Sequence, residues 1–351
     1  MNKTIGVCGY SVTGSSAYSD FLREFNEVQV LDLIEFGLVF FPDGLEDLEY
    51  HVKNYHKYAS SVVAINRFRN LIKKTKRLKT ATKGKINTLT DDFLNKIIQV
   101  SWNGTCSIDK IILSPAELFF KKCFFQLGKK LRLRFFYKLY LSIFPTKMEL
   151  SIMPDNFDTE AKNFVSEILN LMGRDINRIT VLDQPFEGCN PVKSFKFFDN
   201  PKAIVVARDP RDHYLFVKLF LQKRGEGYQI PCDNVDNYIK YFRQTHLLPK
   251  DLKNREDVIF FNFEELIYDY ENTAKKTAEF AGVTQHIHKG EFFKPSHSRN
   301  NTQLFRKFSG YEADIKKIER ELPEYLFPFE KYPDITPEGG MFFGSQSNKK
   351  R

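Results

Sequence analysis

The first 35 residues carry the pattern that most restricts the fold of this chain. A short apolar run at residues 4–10 leads into the loop VTGSSA, and apolar residues then recur at helical spacing over residues 18–25. A second apolar run follows at residues 28–33. A strand, a helix and a second strand in so short a stretch favour a parallel sheet with a right-handed crossover connection.

Further apolar runs, each followed by turn-forming residues, indicate more buried strands at 179–182, 203–206 and 258–261. Helical spacing predicts helices at 159–172, 211–222, 235–246, 272–281 and 312–322. We therefore expect an α/β fold of three layers around a central, mostly parallel sheet, of the type built around a phosphate-binding loop. Residues 1–338 are predicted to form one such domain, and residues 339–351 a flexible tail.

Residues 50–150 interrupt this alternation and predict a helical, basic insertion. Residues 51–90 contain eleven Lys or Arg and no Asp or Glu, and aromatic pairs alternate with lysine pairs over residues 118–147. This composition suits contact with an anionic polymer or with the surface of an anionic membrane. It is equally typical of amphipathic helices that bury one stripe and solvate the other face, so both interpretations stay open.

Composition narrows the class of protein further. The excess of 53 Lys and Arg over 44 Asp and Glu gives a net charge of +9, which favours anionic partners. No run of about 18 apolar residues predicts a membrane span, and the N-terminus lacks the pattern of a secretory leader. Scattered cysteines without a CxxC pair favour a reducing compartment, so we expect a cytoplasmic protein that at most touches membranes. The cysteines are Cys8, Cys106, Cys123, Cys189 and Cys232.

The loop at residues 9–16 (GYSVTGSS) has the GxxxxG spacing of a phosphate-binding loop between a strand and a helix. Backbone amides of such a loop converge on an anion, and the helix N-terminus adds partial positive charge. Side-chain hydroxyls could add donors at Ser11, Thr13, Ser15 and Ser16. The same residues could equally form a simple tight turn that caps the helix.

A second basic motif stands where another strand ends. The run KAIVVARDPRD places Arg208 directly after the apolar residues 203–206. Ligands of open α/β sheets bind at the carboxyl ends of the strands, where the planar fork of an arginine can hold a phosphate. A salt-bridged start of a helix is the alternative explanation of this motif.

Together, these two motifs resemble those of sulfotransferases that use 3′-phosphoadenosine 5′-phosphosulfate (PAPS), notably the bacterial and glycan-modifying members. Residues 258–266 (VIFFNFEEL) are similar to a third element of that family. The resemblance implies that the first loop holds the 5′-phosphosulfate and that Arg208 holds the 3′-phosphate. A basic C-terminal loop would close over the nucleotide. The implied nucleotide-binding residues are Ser11, Val12, Thr13, Gly14, Ser15, Ser16, Arg208, Arg306, Lys307 and Gly310.

Two positions depart from the family pattern. Many members carry Lys or Arg two residues before the second glycine of the loop, where this chain has Val12. Animal cytosolic members carry a serine eight residues after the arginine, where this chain has Phe216. The resemblance therefore implies the fold more firmly than it implies catalysis.

An acceptor hydroxyl or amine must lose a proton during transfer, so we expect a base near the carboxyl ends of the strands. Glu35 follows the second strand and is our candidate general base, with His213 as a weaker one. Asp183 and Gln184 also end a strand and are expected to line the acceptor cleft. The expected acceptor is a hydroxyl or amine of a carbohydrate, glycolipid or similar polar molecule. We expect no metal, since the only HxH pair, His286 and His288, has no further ligand at suitable spacing.

Two other functions remain open at this stage. A nucleotide kinase of the phosphate-loop type would need a Lys after the second glycine, and Ser15 stands there instead. A non-catalytic protein that binds a nucleotide or a polyanion through its basic surface is the other alternative. No recognisable motif for specific nucleic-acid binding accompanies the positive charge.

Overall fold

The computed structural model describes residues 3–104, 113–131, 134–143, 146–333 and 336. The predicted tail at 339–351 and Cys106 lie outside these residues. The chain divides into two compact units. The sheet unit contains the chain up to Phe36, Asp175–Phe195 and the chain from Asp199 onward. The helical unit contains Gly37–Arg174 and Lys196–Phe198, and so includes the predicted insertion.

The strands of the described residues are β1 (Thr4–Gly9), β2 (Val28–Leu31), β3 (Val100–Gly104), β4 (Thr146–Leu150), β5 (Ile179–Asp183), β6 (Pro201–Ala207) and β7 (Val258–Asn262). The longer helices are α1 (Ser15–Arg23), α2 (Leu45–Asn54), α3 (Tyr58–Lys74), α4 (Lys76–Ala81), α5 (Ile86–Ile97), α6 (Pro115–Lys130), α7 (Arg134–Ile143) and α8 (Phe157–Leu171). They are followed by α9 (Pro210–Phe216), α10 (Val235–Thr245), α11 (Glu265–Tyr268), α12 (Tyr270–Ala281), α13 (Pro295–Ser298), α14 (Leu304–Lys307) and α15 (Glu312–Glu321). A π-helical turn, Val217–Leu221, continues α9.

The sheet unit is built on five parallel strands in the order β2-β5-β1-β6-β7. This confirms the predicted α/β fold with a central parallel sheet. The central strand β1 buries both its faces, which is why its sequence is continuously apolar rather than alternating. On one face, Val7 packs in a common apolar cluster with Phe21 of α1 and Ala274 of α12.

In the helical unit, the first part of the basic stretch forms amphipathic helices. Helix α3 buries a stripe that includes Val62, Ile65 and Phe68, while its terminal lysines lie exposed. The rings of Phe93 and Phe164 stack with centroids 4.9 Å apart and join α5 to α8. For this segment the basic residues are therefore the solvated face of packed helices.

The helical unit also contains an antiparallel pair of strands, β3 and β4, that the sequence analysis did not predict. Its expectation of a purely helical insertion was incomplete because every residue of β3 but Gly104 is exposed. Such a strand lacks the apolar alternation that predicts a half-buried strand. Within the part of the chain that the structure describes, every helix is too short or too polar to cross a bilayer.

Candidate functional site

The carboxyl ends of β1 and β6 lie side by side, since these two strands are parallel neighbours paired from Thr4 to Gly9. The loop at residues 9–16 follows β1, and Arg208 follows β6. From β1 the chain turns toward β2, on one side of the sheet, and from β6 toward β7, on the other. Such a reversal opens a crevice at the carboxyl edge, the usual ligand site of open α/β sheets.

The loop at residues 9–16, which we call the phosphate loop after its sequence spacing, is tightly wound and leads directly into α1. The amide of Tyr10 donates to the hydroxyl of Thr13 at 3.2 Å, and Ser11, Val12 and Gly14 all have positive φ. Gly14 precedes α1 at φ +86° with no side chain capping the helix. The first amides of α1 consequently lack a side-chain cap, the arrangement that binds anions at helix N-termini.

Gly14 is required here for two reasons. A Cβ at this position would lie 2.5 Å from the ring of Phe263, and the positive φ disfavours any other residue. Gly84, at φ +81° with nothing within 4 Å of a Cβ, shares only the second constraint. We expect Gly14→Ala to lower the free energy of unfolding by about 1 kcal/mol more than Gly84→Ala does, as measured by urea denaturation. Equal losses would show that the loop tolerates a Cβ against Phe263.

The side chain of Arg208 reaches the phosphate loop from β6. Its Nη1 donates to the carbonyl of Val12 at 3.3 Å, and its Nη2 donates to the carbonyl of Asn301 at 2.5 Å. The guanidinium carbon lies 4.6 Å from the ring centre of Phe216 and 5.4 Å from that of Phe263. Only 3% of Arg208 is exposed, and its Nε has no partner among the described residues. The planar fork thus lies against two aromatic rings and beside the loop.

Buried carboxyl groups surround this guanidinium. Burial lowers the pKa of Arg208, and the charges of Asp212 and Glu264 oppose that shift. Burial also raises the pKa of Glu264 well above its ordinary value. Asp212 accepts hydrogen bonds from the amides of Gln303 at 2.6 Å and Leu304 at 2.7 Å. These bonds hold residues 303–304 against the motif that contains Arg208 and Asp212.

The residues expected in the closing loop follow that anchored segment. Arg306 and Lys307 are exposed at the end of α14, with Nη1 of Arg306 on the side chain of Gln303 at 2.6 Å. Gly310 is exposed at φ +89°, and its amide donates to the carboxylate of Glu312 at 3.0 Å. The structure thus places two exposed cations a few residues after the contacts to Asp212.

His213 is built into the support of the loop. Its Nε2 donates to the carbonyl of Ser11 at 3.0 Å, and its Nδ1 lies 3.0 Å from the hydroxyl of Tyr238. Burial, followed by the nearby charge of Arg208, lowers its pKa to about 3. The catalytic role expected for His213 is therefore disfavoured, because both ring nitrogens are engaged and the ring is almost fully buried. We assign His213 to positioning the loop.

Gln184 braces the loop from β5. Its Oε1 accepts from the amide of Gly9 at 3.1 Å, and its Nε2 donates to the hydroxyl of Ser15 at 2.8 Å. The residue takes a positive φ of 49°, and its own amide donates to the carbonyl of Val7 at 2.9 Å. Its side chain, expected to line an acceptor cleft, is instead occupied with the phosphate loop.

Asp183 and Glu35 lie at the carboxyl ends of neighbouring strands, β5 and β2. The amide of Phe36 donates to the carbonyl of Asp183 at 2.8 Å, which fixes the turn that carries Glu35. Burial, and then the negative charge of Glu35, raises the pKa of Asp183 to about 7. The Glu35 side chain is exposed. A partly buried carboxyl group that titrates near neutral pH is suited to accept a proton from a substrate.

Sequence reasoning missed the two rings that flank Arg208. Phe216 stands where the resembled animal enzymes carry a serine, and the structure places its ring against the guanidinium instead. The motif spacing pointed to the position, but nothing in it predicted an aromatic contact. Among the described residues, no group of three His, Cys, Asp or Glu side chains is arranged to hold a metal ion.

Comparison with solved structures finds sulfotransferases. The sulfotransferase domain of the olefin synthase from Synechococcus PCC 7002 is 12% identical, covering 93% of this chain and 95% of that one, with a TM-score of 0.38. A sulfotransferase from Alicyclobacillus acidocaldarius is 11% identical, covering 91% and 95%, with a TM-score of 0.37. No protein-family model and no curated protein matches the chain. Both structures are of the class that the motifs resemble.

Proposed function

We propose that this chain is a sulfotransferase that takes a sulfuryl group from PAPS and passes it to a hydroxyl or amine. The observation that carries the proposal is the 3.3 Å contact between Nη1 of Arg208 and the carbonyl of Val12. It joins the loop after β1 to the arginine after β6, the two elements that we propose bind the phosphate groups. A nucleotide with phosphates at both ends of its ribose is a ligand of matching chemistry.

The residues present suit such a nucleotide. The uncapped N-terminus of α1 and the loop at residues 9–16 would hold the 5′-phosphosulfate. The buried Nε of Arg208 lacks a partner and could donate to the 3′-phosphate, with Arg306 and Lys307 adding positive charge. When bound, PAPS supplies a sulfuryl group attached to a phosphate leaving group. The task of the protein is then positioning and electrostatic stabilisation.

For the acceptor we propose that Asp183 removes the proton. Its pKa of about 7 leaves a substantial fraction ionised at neutral pH, and the neighbouring charge of Glu35 makes the carboxylate more basic. Glu35, our candidate base from the sequence, thereby becomes the residue that tunes Asp183. The acceptor class that we propose remains a carbohydrate, glycolipid or similar polar molecule.

One observation favours a second candidate function, nucleotide binding without transfer. The Val12 side chain packs against an apolar cluster that contains Leu215 and Tyr238, in place of the cation that the resembled family directs at the sulfuryl group. A loop of this kind can bind an anion through its amides. It has less positive charge with which to stabilise the transferring group.

Thermal unfolding with added nucleotides tests the binding half of the proposal. A ligand at about 100 times its Kd stabilises the folded state by about 2.7 kcal/mol. We expect 3′-phosphoadenosine 5′-phosphate to raise the Tm strongly, and ATP and AMP to raise it little. Equal shifts with all three nucleotides would contradict a dedicated 3′-phosphate site.

Transfer itself is tested with PAPS carrying a radioactive sulfuryl group and a panel of polar acceptors. Label in the acceptor fraction, dependent on the protein, supports the sulfotransferase. A strong Tm shift without transfer to any acceptor, and without acceleration of PAPS hydrolysis, would favour the binding protein instead.

A further inference from the structure

Helices α6 and α7 form a hairpin that is inserted between two paired strands. Strands β3 and β4 pair antiparallel, with Gly104 opposite Thr146 at the end of the ladder. The chain between these two residues carries both helices, which pack against each other. We call the described residues 113–131 and 134–143 the aromatic hairpin.

The aromatic hairpin leaves several large apolar side chains exposed to solvent. No residue of α6 is buried, although α6 is 16 residues long. Phe119 is 64% exposed, and Phe135 of α7 is 62% exposed. At 100° per residue, an arc of about 120° contains the exposed apolar side chains of α6 and the residue after it. These side chains are Phe119, Phe120, Leu127 and Leu131.

An exposed apolar arc of this size indicates a surface that binds a partner. Helix α3, in the same unit, shows the contrast, since it buries its apolar stripe and its one large exposed apolar side chain is Tyr58, at its first position. The amphipathic explanation that fits α3 therefore does not account for α6.

Positive charge lies beside the exposed arc and, at Lys130, within it. Residues 113–143 contain seven Lys or Arg and one carboxylate, that of Glu117. That carboxylate is occupied with the amide and hydroxyl of Ser114, both at 2.7 Å, in the capping box that starts α6. The exposed lysines of the hairpin are Lys122, Lys129, Lys130 and Lys138.

We propose that the aromatic hairpin docks on the surface of an anionic lipid bilayer. Exposed Phe and Leu side chains can enter the boundary between headgroups and acyl chains, while the lysines contact anionic headgroups. A second copy of this chain would bring two clusters of like charge together, which opposes self-association through this face. An anionic polymer would satisfy the lysines but would leave the apolar arc in water.

The geometry favours a hairpin that lies on the membrane rather than one that crosses it. A helix of 16 residues is about 24 Å long, shorter than the hydrocarbon core of about 30 Å. Its lysines form one pair near the middle of the helix, at residues 121–122, and one at its end, at residues 129–130. Charge near the middle of the helix suits a helix that lies in the plane of the interface.

Co-sedimentation of the full chain with vesicles tests this proposal. We expect binding to vesicles of phosphatidylcholine with phosphatidylglycerol, and much weaker binding to phosphatidylcholine alone. The double variant Phe119→Ser with Leu127→Ser should bind the anionic vesicles about 10-fold or more weakly, because two apolar side chains no longer enter the interface. The matched control is Phe41→Ser with Leu247→Ser, which removes two exposed side chains outside the hairpin and should bind as the natural chain does.

Three results would overturn the proposal. The natural chain could fail to bind anionic vesicles at low salt. The hairpin variant could bind as tightly as the control, with binding lost only in a Lys122→Gln, Lys129→Gln, Lys130→Gln variant, which would indicate a general polyanion surface. Size-exclusion chromatography could show a dimer that only the hairpin variant loses, which would identify the occupant as a second copy. Circular dichroism and the Tm shift with nucleotide, measured on each variant, should be unchanged, so this test is independent of the proposed activity.

Discussion

Replacing Asp183 with asparagine should reduce turnover about 10²–10⁴-fold while leaving nucleotide affinity nearly unchanged. The reason is that asparagine keeps the size of the side chain but cannot accept a proton from the acceptor. Initial rates of sulfuryl transfer and calorimetry with 3′-phosphoadenosine 5′-phosphate measure the two quantities. Asp251→Asn, at an exposed carboxylate of the sheet unit, is the matched control and should keep full turnover.

The pH profile separates the roles of the two carboxyl groups. If Asp183 is the base, kcat should rise with pH around its pKa of about 7. Glu35→Gln removes a neighbouring negative charge, so the pKa of Asp183 should fall and the midpoint of the profile should move to lower pH. An unchanged midpoint together with lost turnover in Glu35→Gln would instead make Glu35 the base.

As the pH rises, the contribution of Asp183 to stability should fall while turnover rises. The pKa of Asp183 is higher in the folded chain than the ordinary value of 3.8, so folding favours its protonated form. That contribution is fully present below the ordinary pKa and is lost as the pH rises through about 7. Above this pH, Asp183→Asn should therefore have a higher Tm than the natural chain. The gain should be smaller in acid.

Arg208→Ala should weaken binding of 3′-phosphoadenosine 5′-phosphate about 10- to 100-fold, because the proposed charge-assisted hydrogen bond to the 3′-phosphate is lost. The affinity for AMP, which lacks that phosphate, should change little. Calorimetry with both nucleotides measures the difference. An equal loss for both would show that Arg208 acts by holding the loop at Val12 rather than by contacting the 3′-phosphate.

Arg208→Lys is a second variant for the same test, which keeps it decisive if Arg208→Ala does not fold. Removing the guanidinium leaves the buried carboxyl groups of Asp212 and Glu264 without their cation, and this can destabilise the chain. Lysine keeps the charge but loses the planar fork and its stacking on Phe216. We expect an affinity between those of the natural chain and of Arg208→Ala, with the Tm close to that of the natural chain.

Local patterns were sufficient to predict the sheet and the two motifs at its edge. The strands β1, β5, β6 and β7 each appear in the sequence as a short apolar run, and each was found within a few residues of its predicted bounds. The loop at residues 9–16 and Arg208 were expected to lie close together, because parallel strands end at one edge of a sheet. The assignment of these residues to a nucleotide stays a prediction.

Features that depend on long-range contacts could not be predicted. Phe263 meets Arg208 only because β7 lies beside β6, and nothing near either residue indicates that contact. The pKa of Asp183 is raised first by burial and then by the charge of Glu35, which the pairing of β2 with β5 brings close. Burial also disfavours His213 as a base, and nothing in its neighbouring residues indicates that burial.

The brace formed by Gln184 has a consequence for how such a protein can evolve. Its amide group holds Gly9 and Ser15 of the loop, and the residue before it is Asp183. One peptide link therefore sets the spacing between the group that would remove the proton and the loop that would grip the donor. Changes elsewhere in the chain would leave this spacing intact as long as residues 183 and 184 and their contacts to the loop are kept.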